Sequence, residues 1–275
     1  MHTVLRRIAT LTDNTALQSK LYYMYNLMST IQIAEVKMKT FKIHLIRHGL
    51  SEGSTEGKYI GQTDVMLTDE GIKQLKDLKS RAIYPRADVV ITSPMNRCIE
   101  TAKILYPDSK PLILDGLNEY DFGEFENQTA DELHTDPAFT EWLSGKADAG
   151  APYGETNEAF QKRVCSCFFE LVSGLIKTGV GDTAVITHGG VIMTIMQMFA
   201  LPERPMHEWL TPSGCGYTLV VTPSIWSNTG KCEALYEVPT VPDGDDEEEE
   251  DEVNWDIPID PAEFESFYTP EEDNQ

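Results

Sequence analysis

The chain has 275 residues, 41% of them apolar, which suffices for one substantial core and at most two domains. Its formal net charge of −23 is unevenly placed: sixteen acidic residues and no Lys or Arg fall from Pro239 onward, leaving about −7 elsewhere and no basic nucleic-acid footprint. No run of eighteen apolar residues offers a membrane span, and Cys98, Cys165, Cys167, Cys215 and Cys232 lack CxxC or zinc spacing, as expected of reduced thiols in a cytoplasmic protein.

Residues 1–37 fit poorly with the rest of the chain. Leu17, Leu21, Met24, Met28 and Ile31 form a faint amphipathic stripe, and the segment is expected to lie outside the fold. Met38 opens MKTFKIHLIRHG, which reads as the start of the main domain, 38–238. Phe41, Ile43, Leu45 and Ile46 predict a buried strand that stops at Arg47-His48-Gly49. In an α/β sheet, ligands bind beyond the carboxyl ends of strands. An Arg there presents a planar fork suited to phosphate or carboxylate. A His beside a fixed cation tends to stay neutral, and a neutral imidazole is a nucleophile. On the triplet alone, a strand-capping Arg and a loop histidine fit as well.

Residues 57–68 are rich in turn formers, and Thr68-Asp69-Glu70 opens a helix predicted to reach Arg81. Asp88–Thr92 predicts a second strand, ending at Ser93-Pro94, and the helix after it, to Leu105, carries Arg97. Pro111–Leu114 reads as a short strand before the acidic, aromatic stretch Leu117–Glu126. Residues 127–154 read as irregular cover, the natural place for a substrate lid. Glu155–Lys177 predicts a long helix with Phe160, Val164, Cys167, Phe168, Leu171 and Leu175 at core spacing. Thr183–Thr187 predicts a third buried strand that stops at His188-Gly189-Gly190, before a helix Val191–Ala200. Gly216–Thr222 and Cys232–Val238 read as an antiparallel edge pair joined by a loop over 223–231. The alternation implies a three-layer α/β/α fold, its sheet mostly parallel with an antiparallel edge. From Pro239, with the run Asp243–Glu252, an acidic, disordered tail is expected.

Strand ends thus present Arg47 and His48, Arg97, Glu119, and His188. Six motifs occur in order: LIRHGLS (Leu45–Ser51), LTDEG (Leu67–Gly71), SPMNRCIETA (Ser93–Ala102), LNEYDFGEFE (Leu117–Glu126), GET…F…RV (Gly154–Val164) and THGG (Thr187–Gly190). In these the chain resembles the histidine phosphatase superfamily, in its phosphoglycerate-mutase-like branch, over roughly 38–238. The resemblance implies that His48 attacks phosphorus and becomes a phosphohistidine. It implies that Arg47, Arg97 and His188 hold the phosphoryl oxygens and that Glu119 is the general acid and base. Arg47, Ser51, Ser54, Gln62, Arg97 and Gly189 would bind substrate, with no metal and no cofactor. Asp121, Glu124 and Glu126 are rivals for the acid.

Two positions depart from the family pattern. Ser54 stands where an Asn is usual. Asn127 stands where many relatives have Gly, at a place expected to face the substrate mouth. A mutase would need a larger, basic cover, and residues 127–154 carry Lys146 alone. The reading is therefore hydrolysis of a small phosphorylated metabolite, as in broad-specificity or α-ribazole phosphatases. A cofactor-dependent phosphoglycerate mutase and a non-catalytic phosphate-binding module are the alternatives.

Overall fold

The computed structural model describes residues 39–241; the expectations for residues 1–37 and for the run Asp243–Glu252 lie outside the described residues. Hydrophobic periodicity builds the centre. In β1 (Phe41–Arg47), alternate side chains turn to opposite faces: Phe41, Ile43 and Leu45 enter one core cluster and Ile46 another. A strand buried on both faces belongs inside a covered sheet. α1 (Asp69–Arg81) starts on Thr68, whose hydroxyl accepts from Gly71 N at 2.9 Å. β2 (Val89–Thr92) leads into α2 (Asn96–Leu105), and β3 (Leu112–Ile113) comes next.

The expected irregular cover holds two short helices, α3 (Ala130–Leu133) and α4 (Pro137–Leu143). Local capping accounts for both. Thr129 and Glu132 form a reciprocal capping box, and Asp136 caps a helix with Pro137 in its first turn. α5 (Asn157–Thr178) is capped by Thr156 and ends on Gly179 at φ 78°. It buries Phe160, Val164, Phe168, Leu171, Val172 and Leu175, while Cys167 is only half-buried. β4 (Asp182–Thr187) passes into α6 (Gly189–Phe199), which begins two residues earlier than the apolar run suggested. β5 (Ala200–Leu201), β6 (Gly216–Val221), α7 (Pro223–Thr229) and β7 (Cys232–Val238) complete the described elements. α7 replaces the loop expected between the last two strands; Pro223 opens it and Gly230, at φ 65°, ends it. Pairing continues to Thr240, which exchanges backbone hydrogen bonds with Ile83 at 2.8 and 3.1 Å.

The sheet runs in the order β3-β2-β4-β1-β6-β7-β5. β1 to β4 are parallel, β6 is antiparallel to both β1 and β7, and β5 is parallel to β7. The fold is therefore α/β, with a mostly parallel sheet. Register brings the strand ends level: Arg47 stands opposite Thr187, and Thr92 opposite Ile186. His48, His188 and Ser93 consequently leave the sheet side by side. Among the described residues, no helix is long and apolar enough to cross a membrane.

His44 lies inside β1, 1% exposed, with Nδ1 2.9 Å from Thr218 Oγ1 and Nε2 unpartnered. Burial lowers its pKa from 6.5 to about 4, against the pull of Asp182 and with the help of Lys42. The unfolded chain therefore binds the extra proton between those values, so this stability is complete above pH 6.5 and drains as pH falls toward 4. His44→Gln should flatten the acid limb of stability against pH by on the order of 2 kcal/mol, read by urea unfolding at pH 4.5 and 7.5.

Candidate active site

The site begins where β1 stops. Arg47 N donates to Cys215 O at 2.8 Å and His48 N to Thr187 O at 2.9 Å, so the sheet fixes both residues. His48 Nδ1 lies 2.7 Å from its neighbour's carbonyl, Gly49 O. A carbonyl only accepts, so Nδ1 carries the proton and the lone pair of the neutral ring is on Nε2. Burial, then the charges of Arg97 and Arg47, holds the His48 pKa well below 6.5, which keeps that ring neutral.

His188 stands just past β4, its ring centroid 5.2 Å from that of His48. Its Nδ1 accepts from Arg97 Nε at 3.3 Å, because a guanidinium only donates. Nε2 therefore bears the proton and donates to Ser93 Oγ at 2.8 Å, which donates in turn to Asn118 Oδ1 at 2.9 Å. Here the ring meets Arg97 and Ser93 through its two nitrogens. Its own pKa is also lowered, by burial and then by Arg97.

Arg97, from the first turn of α2, is 0% exposed. It donates through Nη2 to Gly61 O at 2.7 Å and through Nη1 to Thr63 O at 2.9 Å. The loop supplying those carbonyls is tied to Glu126, whose carboxylate accepts from Gly61 N (3.1 Å), Gln62 N (2.7 Å) and Thr63 Oγ1 (2.7 Å). Arg47 gives Nη1 to Thr211 O at 2.8 Å, and its buried Nε has no partner. Each guanidinium has more N–H groups than these acceptors use, so both retain donors for an anion.

Glu119 faces the same space. Its carboxylate oxygens accept from Tyr120 N and Gly190 N, each at 3.0 Å. The second donor is the start of α6, a favourable place for negative charge. A Cβ on Gly190 would lie 2.5 Å from Glu119 Oε1, so a side chain there would displace the carboxylate. The backbone is held too. Glu119 O accepts from Gln62 Nε2 (3.0 Å) and Arg163 Nη2 (3.2 Å), and Arg163 also reaches Gly116 O and Asn118 O while pairing with Glu155 at 2.8 Å. The Glu119 pKa is raised; burial is the largest cause and outweighs the two N–H donors and the charges of Arg97 and Arg47. No bound anion is needed for that shift.

The rival acids are placed otherwise. Asp121 accepts from Gly123 N at 3.1 Å, Glu126 anchors the 61–63 loop, and neither these nor Glu124 lines the cavity. Ser51, Ser54 and Gly189 do line it. The Ser54 hydroxyl, however, donates to Ser51 O at 2.5 Å and accepts from Ser51 N at 3.0 Å, so its proton is committed within the turn. Gln62 lies outside the lining and positions Glu119 instead. Asn127 also lies outside it; with φ 62° it occupies a left-handed position, which explains why Gly or Asn suits that place. Motif reading missed Ser93, Asn118, Arg163 and Glu126 as site-builders, although all four lie inside the motifs.

Above these groups opens a cavity of about 340 Å³. Its floor is Arg47, His48, Arg97 and Glu119. Its wall is mainly apolar, including Tyr59, Tyr120, Phe122, Trp142 and Phe160. Such a floor can hold a tetrahedral anion against an imidazole lone pair while a carboxyl group stands ready to pass a proton.

A profile of the Histidine phosphatase superfamily (branch 1) matches residues 43–228. The chain is 27% identical over 199 residues to an adenosylcobalamin/alpha-ribazole phosphatase of Salmonella typhimurium, covering 70% of this chain and 92% of that one. It is 26% identical over 178 residues to a broad-specificity phosphatase of Saccharomyces cerevisiae, covering 61% and 74%. The crystal structure of an alpha-ribazole phosphatase from Shigella flexneri matches with a TM-score of 0.57 at 25% identity, over 65% of this chain and 90% of the other.

Glu126→Ala removes the acceptor shared by the N–H groups of Gly61 and Gln62 and the hydroxyl of Thr63, and so loosens the carbonyls that hold Arg97. A loss of about 2–4 kcal/mol in stability is expected by urea unfolding, with at least about tenfold weaker inorganic phosphate binding by calorimetry.

Proposed function

This chain belongs to the histidine phosphatase superfamily, branch 1, and we propose that it hydrolyses small phosphomonoesters through a phosphohistidine formed on His48. The observation that carries the reading is the His48 tautomer. With the proton tied to Gly49 O, Nε2 presents its lone pair beside two guanidinium groups that retain donors.

In the first step Nε2 attacks phosphorus, forming an N–P bond as the ester P–O bond breaks. Arg47 and Arg97 stabilise charge on the equatorial oxygens. Glu119, kept toward its protonated form by burial, gives its proton to the departing alkoxide. In the second step ionised Glu119 takes a proton from water, whose oxygen attacks phosphorus and restores the His48 lone pair. Asp121, Glu124 and Glu126 have no part in proton transfer. His188, Ser93 and Asn118 act by holding Arg97 in place.

Two features favour water over a second phosphorylated substrate as acceptor. Outside the floor, Lys58 is the sole cation in the cavity lining among the described residues, and it pairs with Glu56. A mutase must grip a second phosphate. The phosphatase names of the relatives in S. typhimurium and S. cerevisiae point the same way. The five unpaired cysteines suit a cytoplasmic setting.

Purified protein should release phosphate from p-nitrophenyl phosphate without added metal, and alkaline denaturing quench should trap a phosphoryl group that is stable in base and lost in acid. His48→Ala should abolish both. Robust 2,3-bisphosphoglycerate-dependent mutase activity with little hydrolysis would overturn the reading. Activity should be full while Glu119 is protonated and fall as pH rises through its raised pKa. Glu119→Gln should remove that limb and lower kcat on alkyl phosphates about 10²–10⁴-fold, with a smaller loss for p-nitrophenyl phosphate, whose leaving group needs no proton.

A further inference from the structure

The cavity wall carries information that the phosphoryl-transfer floor does not. Five aromatic rings form a connected collar in it. Tyr59 packs on Phe122 at 5.2 Å and on Trp142 at 5.5 Å between centroids; Tyr120 packs on Trp142 at 5.6 Å and on Phe160 at 5.0 Å. Ile60, Leu143, Met193, Met206 and Leu210 join the lining.

The polar side chains of the wall are mostly engaged elsewhere. Asn157 Nδ2 donates to Trp142 O and Lys146 O at 3.1 and 3.0 Å. Thr194 Oγ1 donates to Gly190 O at 2.8 Å, and Gln161 Nε2 lies 3.5 Å from Met198 Sδ. Ser51 and Ser54 bond to each other. A sugar entering this space would shed water from its hydroxyls and find few replacements, a cost of about 1–3 kcal/mol for each unpaired group. A second phosphate would meet Glu158 and a lysine already paired with Glu56.

Resting on the phosphatase reading, we propose that the alcohol released here is flat, apolar and uncharged, so that the substrate is an aromatic or heteroaromatic group bearing a single phosphomonoester. Sugar phosphates and bisphosphates are poor substrates. The floor grips the phosphoryl group of any ester, and the collar rewards only a ring.

The test compares 2-phenylethyl phosphate with glycerol 3-phosphate and 2,3-bisphosphoglycerate on the full chain. The first two both release primary alcohols, so differences in leaving-group chemistry are small. The expected result is a kcat/KM at least about 30-fold higher for 2-phenylethyl phosphate, carried mainly by KM. Trp142→Ala should narrow that preference about tenfold through KM. Leu143→Lys, a half-buried wall position, should shift the ratio toward 2,3-bisphosphoglycerate whether or not Trp142→Ala folds. Equal kcat/KM for 2-phenylethyl phosphate and glycerol 3-phosphate overturns this inference and leaves the phosphatase intact. Failure to release phosphate from any ester, with His48 never phosphorylated, overturns the phosphatase reading instead.

Discussion

A buried guanidinium with no carboxylate against it among the described residues is the constraint on which the rest of the site depends. Arg97 is fully enclosed, yet its hydrogen-bond partners are two backbone carbonyls and an imidazole. Neutral acceptors satisfy its donors and leave its charge in place. Arg47 repeats the arrangement with one carbonyl and a buried N–H that has no partner. Burial first, and then two positive charges in a confined space, hold the pKa values of both imidazoles down, and those charges favour whatever anion fits the gap. The Glu119 pKa is raised because burial outweighs those same charges and its two N–H donors.

Holding such a charge takes scaffolding, and most of it is backbone. Glu126 fixes the loop whose carbonyls receive Arg97, and Arg163 receives the carbonyls of Gly116, Asn118 and Glu119. One carboxylate and one guanidinium, each outside the reacting space, thereby set the loops on either side of it. Gly190, near the start of α6, completes the frame by letting the Glu119 carboxylate sit against the helix start.

How much of this was legible in the sequence depends on the kind of contact. Arg47, His48, Arg97, Glu119 and His188 sit in motifs at strand ends, and the sheet register brings them together. The strands and long helices arise from apolar periodicity, as β1 and α5 show. The parts that were missed work through main-chain atoms or very short signals. Nothing in the letters at 61–63 says that their carbonyls hold Arg97. Ser54 and Gln62 have suitable side chains, but local hydrogen bonds turn one inward and direct the other to Glu119. Helices α3 and α4 are too short for a period to register, and their caps were the available cue.

The proton on His48 Nδ1 is held by the carbonyl of the very next residue in the chain. That fastening travels with the strand end and borrows nothing from the cavity wall. Evolution is consequently free to exchange wall residues one at a time, and so retune what is admitted, without unsettling the His48 imidazole. A lineage built on this frame would be expected to drift widely in diet while keeping the same bite.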